Sequence, residues 1–194
     1  MNDDLTECFN NVRDTFNSAL AHYQIWYTLR GKGKAIENYI HEMDDYRYVD
    51  FFLAANSGNY KLMFIETASL FDSDNRTQSI RSLKTLMNTY GLNEISDKFE
   101  KNLKPYSELV SNIKTIRSRV IAHKEAGIDP SELYNKHGIK PDDIRDMLNI
   151  VADLLRELES MLTNNSNSHS VGATDRWEQA TFKLLESLHS ERHS

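Results

Sequence analysis

Hydrophobic residues recur three and four positions apart along most of this chain, with polar residues between them. This spacing puts apolar side chains on one side of an α-helix, whereas a half-buried strand would alternate residue by residue. The pattern predicts a long first helix that starts near Leu5 and ends at the glycines of 31–33, and a second helical stretch from Ala35. The first stripe consists of Leu5, Cys8, Phe9, Val12, Phe16, Leu20, Tyr23, Trp26 and Tyr27.

The middle of the chain carries further helical patterns separated by polar turns. The most apolar segment runs from Tyr46 to Phe71, and its Ser57–Asn59 interruption suggests a kink. The polar run 72–75 is expected to end this helix and to supply the N-cap of the next, which carries Ile80 to Tyr90.

Two prolines set the remaining boundaries. The pattern from Asn93 to Ile121 contains Pro105, which predicts a break or kink because proline lacks the backbone donor that a helix uses. Glycines and prolines over 127–141 bracket a short helical turn. Pro141 is expected to open the following helix, which runs to Met161 with the cleanest amphipathic stripe in the chain.

The C-terminal part differs in composition. Residues 164–174 are almost entirely Asn, Ser, Gly and His, which is typical of a flexible linker. The sequence therefore predicts an all-α fold with a helical domain over 1–163, built from about five main helices. The linker 164–174 is expected to lead to a C-terminal helix and tail over 175–194.

Composition narrows the class of protein. Lys and Arg number 23 against 29 Asp and Glu, a net charge of −6, and only 7 Gly and 3 Pro disfavour an all-β chain rich in tight turns. The single cysteine, Cys8, agrees with a reducing compartment. No apolar stretch approaches the roughly 20 residues of a membrane span, so we expect a cytoplasmic protein without membrane contact. Bulk coating of nucleic acid is disfavoured, although a local basic patch could still bind it.

Several weaker chemical signals can be set aside. Glu37, His41 and Asp45 are spaced by four, so one continuous helix would present them together as metal ligands. A di-metal site in a helical bundle needs a second Glu-x-x-His pattern, which the sequence lacks. We therefore favour a solvated polar face for these three residues and expect no metal or other cofactor. The run 31–34 lacks phosphate-loop spacing, and Cys8 has no base beside it.

The segment from Lys114 to Lys124 is the strongest candidate for function. It carries four cations and His123 without an acid, in a chain of negative net charge. On an ideal helix Arg119 and His123 share a face, whereas Arg117 and His123 lie about 120° apart. Arg117 can join His123 only if the helix loosens or the arginine reaches around. A solvated helix surface is the alternative interpretation.

This segment resembles the signature of the HEPN superfamily, in which an arginine and a polar residue precede a histidine. Arg117, followed by Ser118 and separated from His123 by five residues, fits the signature, whereas Arg119 does not. The upstream blocks 51–74 and 79–83 add to the likeness. The arrangement resembles the abortive-infection U-type, or AbiU-like, subgroup.

The resemblance implies an all-α HEPN-like bundle and, in many members, a metal-independent endoribonuclease that works as a homodimer with two motifs facing one cleft. His123 would act as general base or acid, since imidazole titrates near neutral pH. Arg117 would hold the scissile phosphate. The residues that would bind substrate around this pair are Lys114, Ser118, Arg119 and Lys124.

Two function hypotheses follow. The first is a ribonuclease of phage defence or toxin type that cleaves RNA by 2′-hydroxyl attack, with RNA, a second copy and an antitoxin or defence protein as partners. The second is a non-enzymatic HEPN module that binds RNA, a nucleotide or a protein through the same basic patch. Ser118 bears on the choice, because the family commonly carries Asn, Asp or His there and serine reaches less far.

Overall fold

The computed structural model describes residues 3–31, 34–74, 76–122, 137–163, 170–173 and 175–192. All regular structure within these ranges is helical, which confirms the predicted all-α fold. The α-helices are α1 (Asp3–Arg30), α2 (Ala35–Asn38), α3 (Ile40–Met43), α4 (Val49–Leu70), α5 (Ile80–Thr89), α6 (Asn93–Leu103), α7 (Ser107–Ile116), α8 (Pro141–Thr163) and α9 (Arg176–Arg192). A 3₁₀-helix (Lys104–Tyr106) joins α6 to α7, and a π-helix (Arg117–Ala122) follows α7.

Helix α1 lies at the centre of the bundle, where it contacts α4, α5, α8 and α9. Its predicted apolar stripe is buried from Leu5 to Tyr23, with Val12 and Phe16 fully inaccessible to solvent, and is half-buried at Trp26 and Tyr27. Helix α8 adds a second buried stripe that includes Val151 and Leu155. Each such side chain stabilises the fold by about 1.5–3 kcal/mol when fully buried, so these two helices supply much of the core.

The two prolines have the effects expected of them. Pro141 is the first residue of α8, where its missing N–H group is not needed. Pro105 lies in the 3₁₀-helix, so the predicted break between α6 and α7 is present.

Helix α4, in contrast, is continuous through Gly58. The N-cap of α5 is Ser79 rather than a residue of the run 72–75, because the Ser79 N–H donates to Ser82 Oγ at 2.7 Å.

The C-terminal helix packs against the rest of the molecule. Leu185 of α9 is buried in a small second cluster with Leu29 of α1 and Met43 of α3. Residues 170–173 bond to the bundle: the Gly172 N–H donates to Asn17 Oδ1 at 2.7 Å. The division of the chain at 163 and 174 stays a prediction. In the described parts of the chain, no helix is long and apolar enough to cross a membrane.

Candidate nucleic-acid interface

The basic segment begins on a regular α-helix and continues on a wider one. Lys114 lies in the last turn of α7, and Arg117 opens the π-helix 117–122. A π-helix closes its hydrogen bonds from i to i+5 and is frequent at functional sites. The ideal α-helical angle between Arg117 and His123 therefore does not apply to this stretch. His123 and Lys124 follow it directly in the chain and lie outside the described residues.

The segment faces the C-terminal end of α4 and the turn after it. A cavity of about 240 Å³ lies between them. Lys114 and Ser118 are half-buried there, Arg117 is exposed at its edge, and Arg119 is exposed but does not line the cavity. The fold thus brings together three of the predicted site residues. The lining consists of Ala68, Ser69, Asp72, Ser73, Lys114, Arg117 and Ser118.

The charges of this cavity favour an anion near its basic wall. The side chains of Arg117 and Arg119 are exposed, and a guanidinium group can donate two parallel hydrogen bonds to one anion. One acid, Asp72, lines the cavity, and its carboxylate accepts the N–H of Asp74 at 2.9 Å. Lys114 and Arg117 together outnumber this acid.

The same cations also have a structural role. Helix α4 has no basic residue in its own last turn, and the carbonyl groups at a helix C-terminus carry partial negative charge. Lys114 and Arg117 lie beside this end and stabilise it electrostatically. This role accounts for basic residues beside the end of α4. It does not require that one of them be an arginine, or that Ser118 and His123 follow it in the chain.

Contacts between distant parts of the chain add residues that the sequence did not single out for the site. The Arg81 Nη1 group donates to the Ser73 carbonyl at 3.0 Å, which places α5 beside the same turn. The Asn112 side chain of α7 donates to the His137 carbonyl at 3.0 Å and lies 2.8 Å from its Nδ1. These bonds hold the chain at His137 against α7. For Ser73 and Arg81, the sequence signal was the likeness of the blocks 51–74 and 79–83 to HEPN proteins.

The alternative metal arrangement is wrong in its geometry. Helix α2 ends at Asn38 and α3 starts at Ile40, so Glu37, His41 and Asp45 do not share one continuous helix. Asp45 instead accepts hydrogen bonds from Arg47 Nε and Nη2 at 3.0 and 2.9 Å, which lower the pKa of its carboxyl to about 2. The described residues hold no group of three His, Cys, Asp or Glu side chains placed to bind a metal ion.

An all-α bundle with a basic turn before a histidine is the arrangement that HEPN proteins led us to expect. The chain matches the HEPN-type family model described as AbiU2 over residues 3–180. Because this match covers most of the chain, the protein belongs to the HEPN-type AbiU2 family, which confirms the resemblance. The match extends past 163 into α9. Comparisons with curated proteins and with solved structures gave no match.

Proposed function

We propose that this protein is a metal-independent endoribonuclease of the defence or toxin type, with Arg117 and His123 as its catalytic pair. The observation that carries the proposal is the cavity at the end of α4, where Lys114, Arg117 and Ser118 meet directly before His123 in the chain. Membership of the AbiU2 family supports a role in abortive infection.

The proposed reaction is an internal displacement within RNA. His123 takes the proton of a ribose 2′-hydroxyl, whose oxygen then attacks the adjacent phosphorus. The bond to the 5′-oxygen of the next nucleotide breaks, and that oxygen receives a proton from an acid. The products are a 2′,3′-cyclic phosphate and a 5′-hydroxyl. Base, acid and countercharge can all be side chains, so the reaction needs no metal ion.

Cations supply the stabilisation that the transition state needs. Arg117 presents a planar fork that can donate two hydrogen bonds to the non-bridging oxygens as charge accumulates there. Lys114, Arg119 and Lys124 would bind flanking phosphates, and Ser118 would donate a hydrogen bond within the cavity. A second copy of the chain would supply the histidine that acts as acid, so we propose a homodimer with the two motifs in one cleft.

The first prediction tests catalysis with His123→Ala. We expect the wild type to cleave single-stranded RNA in EDTA and the variant to be slower by about 100-fold or more, because general acid–base catalysis contributes that much. His41→Ala is the matched control, since His41 is exposed on α3 and lies outside the cavity. Cleavage is followed on labelled RNA, and product ends are identified by mass spectrometry.

Three results would contradict this function. Complete loss of turnover in EDTA with recovery on adding Mg²⁺ or Mn²⁺ would exclude the metal-independent mechanism. Downstream fragments with 5′-phosphate ends would exclude attack by the 2′-hydroxyl. Equal RNA binding by wild type and His123→Ala, with cleavage by neither, would instead identify a non-enzymatic binding module.

A further inference from the structure

A larger cavity, of about 630 Å³, opens between α5, α6 and the start of α7. Its floor is apolar, with Phe99 buried and Phe71 half-buried, and Asn88 and Thr85 contribute exposed polar groups. Sites for small ligands have volumes of about 300–1,000 Å³, mostly apolar walls and a few polar groups. The cavity has the size and lining of a ligand site.

The rim of this cavity is positively charged. Lys84 is paired with Glu100 at 2.7 Å. Arg81 donates to the neutral Ser73 carbonyl, and neither Arg81 nor Lys104 forms an ion pair within the described part of the chain. Both side chains are exposed, in a protein of net charge −6. Three cations line the cavity against one acid, and this excess of positive charge beside an apolar floor fits a ligand that combines a flat apolar ring with an anionic group.

We propose that this cavity binds one nucleoside phosphate unit, with the base on the floor beside Phe71 and the phosphate at Arg81 and Lys104. A base can stack on an aromatic ring, and the Asn88 amide has both a donor and an acceptor for its edge. The unit is either a free nucleotide or one unpaired nucleotide of RNA, and both share this chemistry.

The RNA form of the proposal rests on the proposed function, because the two cavities are neighbours. Ser73 lines the smaller cavity with Lys114 and Arg117, and its carbonyl accepts the hydrogen bond of Arg81. Arg81 therefore stands between the two cavities. A nucleotide in the larger cavity would lie next to the phosphate held at the smaller one and would select the RNA sequence around the cleaved bond.

Thr85→Trp tests the cavity by filling it. Thr85 is exposed and lines the cavity, whereas Thr89, one turn further along α5, is exposed and does not line it, so Thr89→Trp is the matched control. Both variants are made in a His123→Ala background, which keeps RNA intact. Binding is measured by fluorescence anisotropy with a short labelled single-stranded RNA and with versions that lack one base at successive positions. Thermal unfolding checks that each variant is folded.

For the His123→Ala protein with an unaltered cavity, we expect removal of the base at one RNA position to weaken binding by about 5- to 150-fold, as for a base stacked on an aromatic ring. Thr85→Trp should bind intact and abasic RNA equally, and Thr89→Trp should keep the difference. Lys104→Gln should weaken binding, whereas Lys101→Gln, exposed on α6 outside the cavity, should not. Unchanged discrimination in folded Thr85→Trp would overturn the proposal.

The source of the nucleotide is decided by competition with AMP, GMP, CMP and UMP. If one of these nucleotides binds, Thr85→Trp abolishes that binding and no abasic position has an effect, the cavity is assigned to a free nucleotide. If only an abasic position has an effect, the cavity is assigned to RNA. Failure of this proposal is separable from failure of the ribonuclease. Cleavage that requires His123 with no effect of Thr85→Trp leaves the function standing, and the binding assays give their result whether or not RNA is cleaved.

Discussion

Arg117 and Lys114 carry the same charge at the small cavity but offer different chemistry. The guanidinium of Arg117 can donate two parallel hydrogen bonds to one phosphate, whereas the ammonium of Lys114 acts as a point charge. Stabilising the end of α4 needs only charge, since the helix dipole responds to any cation. The two roles of this cluster can therefore be separated by a substitution that keeps the charge and removes the fork.

Arg117→Lys is this substitution. We expect kcat for RNA cleavage to fall by about 10- to 150-fold, because one hydrogen bond to a charged group, worth about 1.5–3 kcal/mol, is lost in the transition state. The free energy of unfolding should stay nearly unchanged, since the charge beside α4 is kept. Kinetics on one RNA substrate and urea unfolding measure the two effects.

Arg119→Lys is the matched control for that experiment, because Arg119 is exposed two residues away and does not line the cavity. It should change kcat by no more than about twofold, since a flanking phosphate needs charge rather than a fork. Equal losses of kcat in the two variants would contradict the distinct role of Arg117.

The C-terminal helix α9 is held at both of its ends. At its start, the backbone N–H groups of Trp177 and Glu178 donate to the buried Gln24 Oε1 atom, at 2.9 and 3.3 Å. Near its end, His189 Nδ1 lies 2.9 Å from Glu42 Oε1, a carboxylate buried on α3. Because a buried charge without a partner is costly, this contact ties α9 to α3.

The prediction for this contact concerns pH. Burial raises the pKa of Glu42, but the hydrogen bond from His189 and the nearby charges outweigh it, so the pKa of Glu42 lies below its ordinary value of 4.5. In acid the unfolded chain then binds this proton more readily than the folded one. The stabilisation is thus complete above about pH 4.5 and is lost as the pH falls through the folded pKa.

We therefore expect the free energy of unfolding of the wild type to fall more steeply below pH 4.5 than that of Glu42→Gln, which cannot titrate there. Urea unfolding at a series of pH values, followed by tryptophan fluorescence, measures the slopes. Glu94→Gln is the control, because Glu94 is exposed on α6. Identical slopes in wild type and Glu42→Gln would show that this carboxylate does not link stability to pH.

The whole molecule combines a negative net charge with two local basic regions. Repulsion from the rest of the surface disfavours RNA except where these regions lie, which favours binding at one place. A homodimer about an axis near Arg117 would double the charge at that place. Apolar contacts would have to outweigh the repulsion between the two basic regions, which is weakest at high salt.

We predict a dimer that weakens at low salt in the absence of RNA, measured by light scattering across a dilution series. Phe51→Asp is the control for a dimer that forms through another surface. Phe51 is 59% exposed on α4, but 18 residues of helix, about 27 Å, separate it from Ser69 at the cavity. It should leave the dimer intact. A monomer at every concentration, or a dimer lost in Phe51→Asp, would contradict the shared cleft.

Most helices of this fold could be predicted from the sequence, because hydrophobic periodicity, capping residues and prolines act within a few neighbouring residues. The first stripe from Leu5 predicted α1, and Pro141 marked the start of α8. The same local signals did not show that α2 and α3 are separate or that α4 continues through Gly58. Glycine lowers the stability of a helix by only about 1 kcal/mol relative to alanine, so the long helical segments on both sides of Gly58 outweigh it.

The sequence by itself determined the class of fold, the family and the basic segment, because residue type and spacing along the chain carry all three. The pairing of Arg117 with His123 stays a prediction. Only the tertiary structure decided that Arg117 lines one cavity with Asp72 and Ser73 at the end of α4, and that Glu42 lies beside His189. Residues so far apart in the chain meet only when whole helices pack, and the shapes of all the buried side chains together fix that packing.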